Sequence, residues 1–177
     1  GIQRPREAHK LLLRLLSKQP ENENLILQVA SLEQKMGLNK QAKQRILKTL
    51  EGNVPSEKMW QFWIELQLTQ DASKDVSADL IEMLSQFPES EWAGVKLAEI
   101  FLHDEKYAAA EKVIEKAMEE STESASLKIL WGRLLAIQGK WSEALTAFSS
   151  IEKNVGGVPL LNHQALAYRK LGKPHLS

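Results

Sequence analysis

The chain has 177 residues with 23 basic and 23 acidic side chains, a balance that leaves no net charge to draw it toward nucleic acid or anionic lipid. At 43% hydrophobic and 26% charged residues it is long and apolar enough to bury a core, which excludes global disorder. The absence of cysteine excludes disulfides, thiolate nucleophiles and cysteine metal cages, and no apolar run approaches the roughly 20 residues of a membrane-spanning helix.

Few prolines and glycines interrupt long stretches of Leu, Ala, Glu, Lys and Gln, so the elements read as helices throughout, about ten of them. Residues 1–22, with Ala8, Leu12, Leu15 and then Pro20, read as the second helix of a truncated repeat. Four units of 34 residues follow, at 23–56, 57–90, 91–124 and 125–158, because small and large apolar residues recur at that interval. Ala110 and Ala144, Tyr107 and Trp141, Leu97 and Trp131, Ala98 and Gly132, and Ile114 and Phe148 are the pairs that fix the register. The same frame sets Ala30 and Ala42 at the small-residue positions of the first unit and Gly37 and Gly139 at equivalent hairpin turns. Pro20 and Pro88 fall between units, where a missing amide hydrogen does no harm.

The unit at 57–90 is the degenerate one. Val76 stands where the others have alanine, and Asp71-Ala72-Ser73 replaces the glycine turn, so its second helix is the least defined. Residues 159–177 read as the first helix of a truncated repeat, with Ala165, Tyr168 and Gly172 in register after a one-residue shortening near Gly156-Gly157, and with Pro174 opening a partner helix. Half-repeats at both ends, without the polar caps that seal such arrays, predict a fragment of a larger protein, with Gly1-Ile2 an expression scar.

These residues resemble the tetratricopeptide repeat family, most closely in the fourth unit, where Trp131-Gly132, Leu135, Ala144 and Phe148 follow its motif, and next in the third, through Leu97-Ala98, Phe101, Tyr107, Ala110, Ile114 and Ala117. The resemblance implies an all-α, right-handed solenoid of helical hairpins, one domain in all, that binds a protein or peptide along its concave face. It also implies that positions 2, 5, 9, 12 and 13 of each first helix line that face. In the first two units these are mostly polar: Asn24, Leu27, Ser31, Gln34 and Lys35, then Lys58, Gln61, Glu65, Leu68 and Thr69. In the next two they are more apolar, and Trp92, Val95, Glu99, Leu102, His103, Ile129, Arg133 and Ile137 form the candidate peptide-binding groove, with Trp92 its anchor. Trp60, Trp63, Trp131 and Trp141 read instead as packing between helices. The family's clamp for acidic chaperone tails is not matched, since Leu27, Ser31, Phe62, Trp92 and Lys96 stand at its positions.

No catalytic constellation, cofactor motif or metal site is read. Glu99 and His103, four apart, make two ligands where a site needs three or four, and His9, His163 and His175 are scattered. Residues 1–56 carry +5, 57–124 carry −10 and 125–177 carry +5, and the acidic centre argues against nucleic acid. The expected function is therefore a non-catalytic interaction scaffold, placed in cytoplasm or periplasm alike. The alternative is a structural, self-assembling module of a larger bacterial membrane or envelope protein, a homo-oligomer joined through its terminal helices.

Overall fold

The computed structural model describes residues 3–52, 55–151 and 157–172; Gly1-Ile2, Gly156, Pro174 and His175, which figure in the sequence reading, lie outside the described residues. Among the described residues ten helices follow one another: α1 (Gln3–Lys18), α2 (Glu23–Lys35), α3 (Asn39–Gly52), α4 (Glu57–Gln70), α5 (Ser77–Gln86), α6 (Glu91–His103), α7 (Tyr107–Glu120), α8 (Ala125–Ile137), α9 (Trp141–Ser149) and α10 (Gly157–Lys170). No strand occurs among the described residues.

The helix starts have a repeating local cause. Asn22, Ser56, Ser90 and Ser124, each 34 residues after the last, are N-caps whose side-chain oxygens accept the backbone N–H of Leu25, Met59, Ala93 and Leu127 at 3.1–3.3 Å. Three of these caps are followed by Glu23, Glu57 and Glu91, acids placed at the positive end of the helix dipole. Two of those acids also tie one turn to the next: the Ser56 amide donates to Glu23 Oε1 at 2.7 Å, and the Ser124 hydroxyl donates to Glu91 Oε1 at 2.6 Å.

Helix ends repeat as well. Gly37, Glu105 and Gly139 share a left-handed conformation, at φ of 76°, 59° and 79°. At each, the following amide reaches back to a carbonyl five residues earlier: Leu38 to Glu33, Lys106 to Phe101 and Lys140 to Leu135, at 2.8–2.9 Å. The degenerate turn departs from this. Asp71 is extended, its carboxylate accepts both the amide and the hydroxyl of Ser73, and α5 begins only at Ser77 with 10 residues. Those two hydrogen bonds hold the Asp71 carboxyl below its ordinary pKa.

The chain divides into two compact units, Gly1–Asp79 and Leu80–Ser177. In the first, α1 to α4 each pack on the next helix in sequence, and α2 also packs on α4. In the second, α6 to α10 do the same, with α8 meeting both α6 and α10. The small positions of the sequence are the contact points: Ala30, Ala98 and Gly132 in first helices, and Ala42, Ala110 and Ala144 in second helices, are all buried, as is Val76. Ala165 is half-buried. Ile46, Leu80, Ile114 and Phe148 recur four residues beyond the second-helix positions and are sealed from solvent. Gly132 allows the closest approach, since a Cβ there would lie 2.3 Å from the Phe148 ring.

Candidate functional site

In the first unit the inner positions of two first helices converge on a cavity of about 570 Å³. Leu27, Ser31 and Lys35 line it from α2, and Lys58, Gln61 and Glu65 from α4; Leu12 of α1 and Phe62 complete its apolar part. These helical residues share a face because spacings of three and four return to one side of the helix. The result is an apolar base with two ammonium groups and one carboxylate on its margin.

The eight candidate groove residues lie on α6 and α8, which pack together. Trp92, Val95, Ile129 and Arg133 are half-buried, and Ile137 is 49% exposed. Val95 packs against the cluster of Ala98, Leu102, Ala110, Ile114, Leu130 and Leu134, while Ile129 packs against that of Leu135, Ala144, Phe148 and Leu160. Leu102 corrects the sequence reading: it is 6% exposed, inside the first of these clusters, and offers almost no surface. Position 12 of the helix turns toward the second helix of the hairpin, and in the first unit its counterpart Gln34 is likewise not among the residues that line the cavity.

Charge on this surface is local. Glu99 takes Lys96 Nζ at 3.3 Å, and the exposed His103 ring lies 3.3 Å from Asp104, which also takes Lys106 Nζ at 2.9 Å. Lys106 first and His103 second hold the Asp104 carboxyl below its usual pKa. Burial, reinforced by the Arg133 guanidinium, lowers the His163 imidazole below 6.5, and its ring stacks on Phe148 at 5.4 Å. Among the described residues no three His, Asp or Glu side chains gather where they could hold a metal, and Glu99 and His103 have no third donor.

Two buried polar pairs were not anticipated from sequence. Glu33, 1% exposed, accepts Arg45 through both carboxylate oxygens at 2.7 and 3.1 Å, and His9 Nε2 lies 3.1 Å away. At the same positions 34 residues later, buried Gln67 donates to Asp79 at 2.9 Å, which also accepts the Trp63 indole N–H at 3.1 Å. Lys74 donates to the other side of the Gln67 amide. The signal was present, since Glu33 and Gln67 occupy the register of Phe101 and Leu135, both of which face helix contacts. Trp60 and Trp63 are buried and Trp131 is packed between two clusters, as the spacing predicts. Trp141 is half-buried, with Lys170 Nζ 5.7 Å above its ring.

No family model matches the chain, and no curated protein matches it in sequence. Solved structures do. A tetratricopeptide repeat protein from Parabacteroides merdae superposes with a TM-score of 0.71 at 18% identity, covering 96% of this chain and 68% of its own. YrrB, described as a TPR protein with an unusual peptide-binding site, gives 0.70 at 15% identity over 93% and 85%. BtubC from P. vanneervenii gives 0.70 at 16% over 97% and 83%. The fold is that of the tetratricopeptide repeat proteins, an all-α helical-repeat solenoid. Among the described residues no helix is long and apolar enough to cross a membrane.

Proposed function

We propose that the chain is a non-catalytic protein-interaction scaffold that holds a peptide or amphipathic helix of a partner against the inner faces of its first helices. The repeat boundaries at 23–56, 57–90, 91–124 and 125–158 belong to this reading. Its binding residues are Trp92, Val95, Glu99, His103, Ile129, Arg133 and Ile137, with Leu102 supporting them from behind. The observation that supports it is the 570 Å³ cavity of the first unit, built from the same helical positions 68 residues earlier. There Leu27, Ser31 and Lys35 correspond to Val95, Glu99 and His103, and Gln61 and Glu65 to Ile129 and Arg133. Half-exposed aliphatic and aromatic side chains among a few charges are what an interface anchors on. The partner is protein rather than nucleic acid, because the segment 57–124 that leads into this surface carries −10.

The test is capture of partners from the source cell by the tagged chain, compared with Trp92→Ala/Ile129→Ala. A partner retained by the parent and lost by the variant, with helicity unchanged in both, supports the reading. Equal capture refutes the site.

A second reading, self-assembly within a larger envelope or membrane-associated protein, is favoured by one observation. Leu11 and Leu15 of α1 are 58% and 49% exposed and Leu161 of α10 is 62% exposed, although α1 packs on α2 and α10 on α9. Light scattering distinguishes it: a concentration-dependent dimer supports it and a monomer at all concentrations refutes it.

A further inference from the structure

A cleft of about 360 Å³ lies outside the groove, where the end of α5 meets α6 and α7. Ile81, Leu84, Pro88, Leu97 and Val113 wall it, and Gly94 and Ala117 lie at its base. The repeat frame sets the residues at this base apart. The positions of Gly94 and Ala117 are held by Trp60 and Met83 one repeat earlier, both buried, and by Lys128 and Ile151 one repeat later. Only here are both small. A Cβ on Gly94 would lie 3.0 Å from the Ala117 Cβ, so α6 and α7 approach closely at this base.

The lip of this cleft is basic. Lys112 and Lys116, one turn apart on α7, are both exposed, and neither has an ion-pair partner among the described residues. The residues lining the cleft include these two lysines and no carboxylate, while Glu111, Glu115, Glu119 and Glu120 of α7 stand outside the lining. The arrangement recurs. A second cleft, of about 560 Å³, is lined by Leu13, Leu16, Pro20, Ile26, Lys48 and Thr49, each 68 residues before Ile81, Leu84, Pro88, Gly94, Lys116 and Ala117. Proline, two aliphatic walls and a lysine lip thus return together, around Ile26 and Thr49 in one cleft and Gly94 and Ala117 in the other.

We propose that the cleft between α5, α6 and α7 docks a partner protein segment that inserts one large apolar side chain over Gly94 and Ala117. A carboxylate one helical turn further along that segment meets Lys112 and Lys116. A second copy of this chain does not fit this chemistry. Its most exposed leucines lie on α1 and α10, which carry one acidic residue, Glu7, against seven basic ones.

The probe is a fluorescein-labelled, acetylated and amidated helical peptide of alanine and glutamine, with a single Trp followed three and four residues later by Glu. Its anisotropy is read against the full chain. The parent binds it saturably, and a peptide with Trp→Ala binds at least about tenfold more weakly, equivalent to 1.4 kcal/mol. Ala117→Met, which plugs the cleft with the residue found at position 83, causes a similar loss. Lys112→Gln/Lys116→Gln weakens binding severalfold and removes its salt dependence. Trp92→Ala leaves binding unchanged, which separates this site from the groove. Should Ala117→Met alter the helical spectrum, Ile81→Glu at an exposed wall position replaces it and must lose the same affinity. No saturable binding by the parent, full binding by the plugged or Ile81→Glu variant, or loss of binding in Trp92→Ala overturns the proposal.

Discussion

Gly132→Ala should destabilise the second unit, although alanine is the better helix former. In an exposed helix the exchange gains about 1 kcal/mol. Here the new methyl would lie 2.3 Å from Phe148 Cε1 and 2.7 Å from Cδ1 and Cζ, where ordinary contact begins at 3.4 Å. The ring must therefore move by about 1 Å, yet Phe148 is fully buried against Leu135, Ala144, Ile151 and Leu160. Overpacking of this kind costs about 1–3 kcal/mol and outweighs the propensity gain, so a net loss of about 1–2 kcal/mol is expected. Urea unfolding followed by helical circular dichroism measures it, with a fall in melting temperature of about 2–4 °C per kcal/mol for a chain of this size. Phe148→Leu in the same chain should relieve the clash, so that the double variant loses less than the two single losses combined. A Gly132→Ala chain as stable as the parent, or more so, would refute the reasoning, because it would mean that the ring does not bear on α8 at Gly132.

Other perturbations follow from single geometries. Glu105→Gly should stabilise the chain by about 1 kcal/mol in the same urea assay, since a side chain at φ 59° bears a left-handed penalty that Gly37 and Gly139 avoid. Arg45→Met should destabilise the first unit by about 2–4 kcal/mol by leaving the Glu33 carboxylate buried with only His9 beside it, whereas Arg45→Met/Glu33→Leu should recover most of that loss. His163 has a folded pKa lowered below 6.5, so the unfolded chain binds the proton more readily. Stability is accordingly complete above about pH 6.5 and falls as pH drops toward the lowered value, and His163→Gln should flatten that part of a melting-temperature profile.

What the sequence exposes and what it hides have separate physical causes. The positions where helices pack closest are legible because small residues recur there, and Ala98, Gly132, Ala110 and Ala144 announce their contacts by size. The caps Asn22, Ser56, Ser90 and Ser124 are equally periodic and equally plain, each a side chain able to accept an amide at a helix start. The late start of α5 is foreshadowed by Asp71-Ala72-Ser73, because an aspartate that captures the Ser73 amide and hydroxyl competes with the helix turn. The pairing of Glu33 with Arg45, and of Gln67 with Asp79, is hidden because partners twelve residues apart meet only once the hairpin closes. Leu102 is hidden for a related reason. It lies at the edge of the inner face, and the packing of α7 and α8 decides that it belongs to the core.

The chain's lack of cysteine makes the central claim directly measurable by single-cysteine labelling. Cysteine is introduced in turn at Val95, Glu99, His103, Ile129, Arg133 and Ile137, and at Glu119 and Glu143 as exposed controls, and maleimide reactivity is compared with and without a captured partner. The scaffold reading predicts protection at the six inner positions and undiminished labelling at the two controls. Equal reactivity at all eight positions in the presence of the bound partner would contradict it.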